Sequence, residues 1–459
     1  MKRRELFQTL APQGHRPPTT GTKGLSREEA EALATRILEM SAADQTLVNI
    51  ASGWRGNTRF AVNRITTAGT SDNVSVTVTA RFGSRSASAT TNRLDEASLA
   101  EVVNGAAELA RLAPENPELM PLLGPQTYMP SEGYFDSTAE LDAAVRGEVA
   151  ASAIGLAQEP GDLRAAGFLQ CSAGASALAT SAGLFTYQPA TRLDYSLTVR
   201  TADGTGSGWA GRGARDWSTV PYEALNRTAV DKAQLSRNPR SLEPGTYTVV
   251  LEPAAVADLI GLLAGSLNAR TADEGRSAFA AEGGGTRVGE QIVDPRITLR
   301  SDPQGLGSTP WAGDGMPLAP VTWVEDGVLR KLYYSRFWAD KQGAKPTGTP
   351  GSLRMSGEDN SLEDLIRGTR RGVLVTRLWY IRNIDPRTIL YTGLTRDGNF
   401  LIEDGRIAHP VNNFRWNDSP LFAFSKLEAM SRPVRVRANR EVPAVRVGEF
   451  TFSSVSEAV

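Results

Sequence analysis

Hydrophobic and polar positions along the chain predict a first half of mixed helices and strands and a second half made mostly of hairpins. Ser26 and Glu29 form an S-x-x-E capping box. Behind it, Ala30, Leu33, Ala34, Ile37 and Leu38 fall on one face at helical spacing. Val74, Val76 and Val78 then alternate with Ser75, Thr77 and Thr79, the period of two expected of a half-buried strand. A second helix is predicted from Asp95, burying Leu99, Val102, Val103 and Ala106. It stops before Pro114, which cannot continue the hydrogen-bond ladder. Ser137 and Glu140 form another S-x-x-E pair and predict a long helix through about Ala157. Leu193, Tyr195, Leu197 and Val199 alternate with polar residues in a strand over Arg192–Arg200. Tyr222, Leu225, Ala229 and Ala233 mark a helix over Tyr222–Leu235.

Glycine and proline divide this pattern. Pro114–Pro130 reads as a subdomain boundary and Asn238–Gly245 (NPRSLEPG) as a linker. Asp326-Gly327 and Asp404-Gly405 sit between apolar runs and predict tight hairpins, with Asp397-Gly398 a weaker third case. Val373–Arg382 (VLVTRLWYIR) reads as a central strand buried on both faces. Lys341–Asn360, rich in Gly, Pro, Ser and Thr, reads as a loop of roughly 20 residues. The expectation is an α+β protein. A mixed antiparallel-sheet and helix region over 25–238 precedes a β-rich domain over 242–459.

Composition narrows the chemistry. The 459 residues, 40% of them hydrophobic, suffice for two or three cores. Lys+Arg number 50 against 51 Asp+Glu, so neither a basic stripe nor direct nucleic-acid binding is expected. Arg367, Arg370 and Arg371 read as a solvated face. Cys171 is the single cysteine, which excludes an internal disulfide, fits a reducing compartment and reads as a buried, inert thiol. No apolar run approaches the roughly 20 residues of a spanning helix, so no membrane partner is expected. The opening MKRRELFQTL has a twin-arginine look, but APQGHRPPTTGTKG follows where an apolar stretch belongs. Residues 1–24 are therefore expected to be a disordered polar tail on a cytoplasmic protein.

Candidate catalytic groups are few. The two histidines, His15 and His409, cannot assemble a His-rich zinc site, and a Ser-His-Asp triad could use only His409, which reads as an exposed strand end. Gly206–Gly211 matches G-x-G-x-x-G, but ARDWSTVP separates it from the next helix. A glycine-rich hairpin is expected there rather than a dinucleotide site. Gly283-Gly284-Gly285 lacks the Lys and Ser/Thr of a phosphate loop and reads as a turn. The carboxylate pairs Asp273/Glu274, Glu358/Asp359 and Glu363/Asp364 read as exposed helix-start or loop residues.

Four stretches carry a family resemblance. TRFAVNRITTAG, KAQLSRNPRSLEPGTYTVVLEP and GVLVTRLWYIRNIDPRTILYTGLTRDGNFLIEDGRIAHPVNNFRW resemble the N-terminal hairpin, the C-terminal domain entry and the C-terminal signature of the TldD/TldE (PmbA) metallopeptidases. ATTNRLDEASLAEVVNGAAELA resembles the strand-to-helix passage between the first two. Catalytic members carry H-E-x-x-x-H on a helix. Anchoring on Ser277, Ala278 and Phe279 places Ile260, Gly261 and Gly265 at those three positions, and no late cysteine follows near TGLTRDGNFLIEDG. The resemblance implies a TldE-like subunit without zinc, paired with a TldD-like subunit that carries it, together processing unfolded peptides. Arg377, Tyr380, Arg382 and Arg396 are the expected peptide contacts. The alternative is a stand-alone peptide- or protein-binding module without hydrolysis. An independent enzyme using carboxylates or another metal site stands third.

Overall fold

A computed structural model describes residues 23–456. The first half contains helices α1 (Arg27–Met40), α2 (Glu96–Leu112), α3 (Asp136–Ala139), α4 (Ala143–Gln158) and α5 (Tyr222–Leu235). Its strands are β1 (Gln45–Ala61), β2 (Arg64–Phe82), β3 (Arg85–Thr91), β4 (Leu163–Thr180), β5 (Phe185–Thr201) and β6 (Ser207–Ala214). The second half opens with β7 (Gly245–Leu251) and α6 (Pro253–Ser266). Short strands β8 (Leu299–Ser301), β9 (Val321–Glu325), β10 (Val328–Leu329) and β11 (Leu353–Met355) follow. The chain continues through β12 (Arg371–Asp385), β13 (Leu390–Glu403), β14 (Arg406–Pro410), β15 (Asn413–Asp418), β16 (Leu427–Met430), β17 (Val434–Arg437), β18 (Arg440–Val442) and β19 (Val445–Ser456). The fold is α+β.

The first six strands form one antiparallel sheet in the order β3-β2-β1-β4-β5-β6. Helices cover one face. α1 and α2 pack on Val48, Ile50, Val76 and Val78; α4 and α5 pack on Phe60, Leu169, Leu193 and Leu197. Side chains alternate across a strand, so the opposite face presents Arg55, Asn57 and Arg59 of β1 and Phe168, Gln170 and Ser172 of β4. These six residues are half-buried or exposed, while Leu47 and Leu178 at the other end of that face are buried against Leu184 and Trp311.

In the second half, β12-β7-β19-β15-β13-β14 run in order and an additional β12–β13 pairing closes a barrel. α6 packs against it through Val256, Leu259, Ile260 and Leu263. A smaller sheet, β10-β9-β8-β11-β18-β17, lies beside them.

Several sequence expectations hold in detail. Ser26 and Glu29 complete their capping box, and Asp95 caps α2. Tyr222–Leu235 is α5. Asp326-Gly327 and Asp404-Gly405 turn hairpins with both residues in the left-handed region (φ 50 and 75; φ 48 and 75). Gly206–Gly211 lies in the β5–β6 hairpin. There a Cβ on Gly208 would meet the Ala229 carbonyl oxygen at 2.2 Å, so glycine lets α5 close on the sheet. Gly283, Gly284 and Gly285 all take positive φ in a turn. Cys171 is buried, its Sγ donating weakly to the Gly56 carbonyl oxygen at 3.6 Å; burial pushes its thiol pKa up.

Others are corrected. Ser137 and Glu140 form no capping box. Its hydroxyl donates instead to Asp216, α3 is a single turn, and Asp142 caps α4. Asp397-Gly398 is not a hairpin. Both residues bulge out of β13 opposite Thr376 alone, at φ 60 and 116. Val373–Arg382 is buried on both faces only as far as Leu378, and Trp379 and Tyr380 are exposed. Lys341–Asn360 is interrupted by β11, whose Leu353 and Met355 are buried between β8 and β18. Of the expected tail, residues 1–22, with the twin arginines and His15, lie outside the described residues. Lys23 and Gly24 are packed, the Lys23 amide donating to the Tyr134 hydroxyl at 3.0 Å.

Polar contacts with little solvent exposure join the halves. Lys232 of α5 donates to both oxygens of Glu252, at the start of α6, at 2.6 and 2.7 Å. The Ser207 hydroxyl of β6 donates to Asp397 at 2.6 Å. The 114–130 segment lies over the seam as well, with the Tyr128 hydroxyl donating to the Gly315 carbonyl oxygen at 2.7 Å.

Lys232→Met strands a buried carboxylate and should cost about 3–5 kcal/mol in urea denaturation. Lys232→Met with Glu252→Gln should recover most of that loss. A second test concerns Asp418, whose carboxyl burial pushes up to about 6, against the backbone N–H donors of Thr451 and Ser419. The folded state therefore holds this proton more tightly than the unfolded chain does. The stabilisation is complete below the unfolded value and is lost as pH rises through about 6. Asp418→Asn should remove this component, moving the stability difference by about 3 kcal/mol in the variant's favour between about pH 4 and pH 7.

Candidate functional site

A cleft of about 540 Å³ lies at the seam. One wall is the open sheet face, through Phe168, Asp194, Ser196 and Trp209. The other is the outer part of β12, from Arg377 to Ile381, with Asp258 of α6 and Arg437 of β17 at its side.

The outer part of β12 is shaped by two bulges. Asp397-Gly398 opposes Thr376, and Tyr380-Ile381 opposes Gly393. Tyr380 takes φ 51, a left-handed conformation that costs a tyrosine about 1–3 kcal/mol and marks the cleft wall as a strained segment. β7 pairs with Val373–Val375 alone. From Arg377 to Asp385 the edge of β12 away from β13 has no strand partner among the described residues.

The structure brings together only part of the predicted contact set. Arg377 and Tyr380 line the cleft. Arg396 faces Arg377 across β12–β13 and lies over the ring of the cleft-lining Trp379 at 5.1 Å without lining the cleft itself, and Arg382 sits over the Tyr380 ring at 4.3 Å. The Arg377 guanidinium stacks between Trp209 and Trp379, 5.0 Å from each ring, and lies 3.4 Å from Asp397. Burial lowers the Arg377 pKa and Asp397 counters it. Arg396 reaches the same carboxylate at 3.9 Å. One buried aspartate thus holds two facing arginines, which would otherwise repel each other.

On α6, Ala254, Asp258, Gly261 and Gly265 follow one stripe, and the first two reach the cleft. Burial pushes the Asp258 carboxyl up, opposed by Arg437, Arg440 and Arg377. A Cβ at Gly261 would lie 2.7 Å from Arg440 Nη1, so that guanidinium fills the space over the glycine; it donates to the Ala257 carbonyl oxygen. Ile260 points away into the core with no exposed surface. Gly265 has open space over its Cα. Among the described residues no group of three or more His, Cys, Asp and Glu side chains is placed to hold a metal. His409 stands in β14 opposite Leu401, its Nδ1 beside the Pro410 carbonyl oxygen at 3.1 Å, and touches none of this.

Residues 244–454 match the PmbA/TldA metallopeptidase C-terminal domain. The chain carries a PmbA/TldD/TldE family domain. It is 24% identical over 268 residues to the metalloprotease PmbA of Escherichia coli. It is 26% identical over 289 residues to a metalloprotease of Methanothermobacter thermautotrophicus. Each alignment takes in 57% of this chain, and covers 54% and 61% of those relatives, so less than two thirds of their length is matched. The fold matches TldE from Thermococcus kodakarensis with a TM-score of 0.80 at 19% identity, over 92% of this chain and 99% of that one. A candidate modulator of DNA gyrase from Bacteroides thetaiotaomicron matches with a TM-score of 0.81 at 18% identity, over 93% and 99%.

Within this PmbA/TldD/TldE domain, Asp258, Arg437 and Arg440 went unnoticed in the sequence. They are far apart in the chain and carry no motif; only the packing of β17 and β18 beside α6 unites them. No helix among the described residues is long and apolar enough to cross a membrane.

Ile260→His should place an imidazole in a fully buried apolar site and cost about 2–4 kcal/mol in denaturant unfolding. Even with Gly261→Glu and Gly265→His added, metal analysis of the purified triple variant should find no stoichiometric zinc.

Proposed function

We propose that this chain is the zinc-free, TldE-like subunit of a cytoplasmic TldD/TldE-type metallopeptidase complex that degrades or processes unfolded peptides. One observation carries the reading. The α6 positions aligned with the zinc motif hold Ile260, Gly261 and Gly265, and Arg440 lies over the middle one. A side chain that neither binds a metal nor accepts a proton cannot supply the chemistry of a zinc peptidase. On this reading zinc and its general base belong to a TldD-like partner, and this chain needs no cofactor.

What it would contribute is a wall. The unpaired edge of β12 beside the cleft offers backbone donors and acceptors at the spacing of an extended chain. Strand addition there gives affinity that depends little on side-chain sequence. Arg377 and Tyr380 border that edge, while Arg396 and Arg382 lie over the rings of Trp379 and Tyr380 beside it. A folded domain has few free strands to offer, which favours unfolded substrates. The completeness of edge and cleft within one chain also favours the second reading, a stand-alone peptide- or protein-binding module.

Co-expression with a homologue bearing H-E-x-x-x-H separates the two. The expected outcome is co-purification, with hydrolysis of an unfolded peptide by the complex and none by this chain alone. Replacing the partner's motif glutamate should abolish it. Tyr380→Ala in the complex should raise KM about three- to tenfold, with little change in kcat, if the β12 edge only binds. Zinc-dependent hydrolysis by this chain alone would sink the subunit reading. Peptide binding without any association would favour the module.

A further inference from the structure

We infer that the cleft selects acidic extended peptides, with arginines of the open sheet face as the selecting groups. This rests on the peptide-binding reading above.

The register of the sheet places the charges. Arg55 of β1 faces Ser172 of β4, which faces Arg192 of β5. Arg59 faces Phe168, which faces Ser196. Arg164 and Arg200 stand directly opposite each other on β4 and β5. Cross-strand partners share a face, so these five arginines lie on the side that carries the cleft lining of Phe168, Arg192, Asp194 and Ser196. On β1, β4 and β5 the one carboxylate on this stretch of the face is Asp194, held by Arg192 at 2.7 Å. Arg55, Arg59 and Arg164 are exposed. The chain as a whole carries a net charge of −1, so the excess is local to this face.

Arg55 and Arg192 stand about 10 Å apart across two strand spacings, and Arg59 stands beside the cleft-lining Phe168, so positive charge gathers at the sheet wall of the cleft, where a carboxylate would be received. The neighbours fit a peptide rather than a nucleic acid. The free β12 edge offers backbone hydrogen bonds that only another extended polypeptide can match. Trp209 and Trp379, the aromatic rings a single-stranded nucleic acid would need for stacking, are already stacked on Arg377. A peptide hydrogen-bonded along β12 would direct alternate side chains toward the sheet face. Asp or Glu at those positions would meet the arginines.

Fluorescence anisotropy on the full chain tests this with labelled unstructured peptides of equal length carrying Glu, Gln or Lys at alternate positions. At low salt the Glu peptide should bind about tenfold more tightly than the Gln peptide, and the gap should close as salt rises. Arg55→Gln with Arg59→Gln, both at exposed positions, should shrink the gap to about threefold or less. The Gln peptide's affinity and the thermal melt should stay unchanged. Arg59→Glu should move the preference toward the Lys peptide. Equal affinity for the Glu and Gln peptides would overturn the acidic preference while leaving the peptide cleft intact. Failure of every peptide to bind would instead remove the reading beneath it. Tighter binding of single-stranded DNA than of the Glu peptide would overturn the inference and assign the face to phosphate.

Discussion

The buried carboxylate of Asp397 is the constraint on which the cleft depends. It sits in the β13 bulge with 2% of its side chain exposed, and an ionised group there must be paired. Its partners come from three directions: Ser207 from the N-terminal sheet, Arg377 from β12 and Arg396 from β13. The hydroxyl fixes where the sheet meets the barrel, and the arginines fix the face of β12 that looks into the gap. Lys232–Glu252 repeats the device one helix away, tying α5 to the start of α6. Buried polar contacts of this kind are directional where apolar packing is not, so they specify how the halves meet as well as that they meet.

The same bulge accounts for the free strand edge. Beyond Val375 the ladder to β7 stops, and two bulges within a few residues twist β12 away from its former neighbour. Tyr380 in a left-handed conformation is held there by the surrounding pairing to β13 and by the Arg382 guanidinium over its ring. Natural sheets commonly blunt such edges with charge. Here Arg377 and Arg382 lie along it, which would discourage promiscuous pairing while remaining compatible with an anionic strand.

Much of this fold was legible because local chemistry was strong. Capping residues at Ser26 and Asp95, the period-two run at Val74–Val78 and the Asp-Gly turns each act over a few residues, and each appears as read. Ser137–Glu140 misled because Asp142 caps the following helix better and Ser137 is drawn to Asp216. Asp397-Gly398 carries the same left-handed preference as a hairpin turn. Whether it turns a chain or bulges a strand is decided by the pairing on either side, which no dipeptide encodes. β11 was hidden in a loop composition because its three residues owe their strand state to β8 and β18, not to their own propensity. The arginines of the open face were invisible for a related reason. Arg55 and Arg59 alternate properly along β1, but their relation to Arg192 and Arg200 exists only once two registers, β1 with β4 and β4 with β5, are known.

The α6 helix divides its two sides between packing and charge. Its buried side, Val256, Leu259, Ile260 and Leu263, does the ordinary work of closing a barrel, and nothing about that role needs a metal. Its other stripe carries Asp258 with Arg437 and Arg440, a carboxylate and two guanidiniums gathered where the small side of Gly261 leaves room. A guanidinium cannot be deprotonated at working pH and cannot ligate a cation. What it can do is satisfy helix carbonyls and hold positive charge near the cleft, which Arg440 does through Ala257. Positive charge on β17 and β18 beside α6, on β12 and on the open sheet face therefore surrounds one gap from three sides, with Asp258, Asp397 and Asp194 each already engaged by an arginine. In such a field an extended chain bearing carboxylates would be drawn in and one bearing lysines held off. The cleft's selectivity would then lie in this chain even if bond cleavage lies elsewhere.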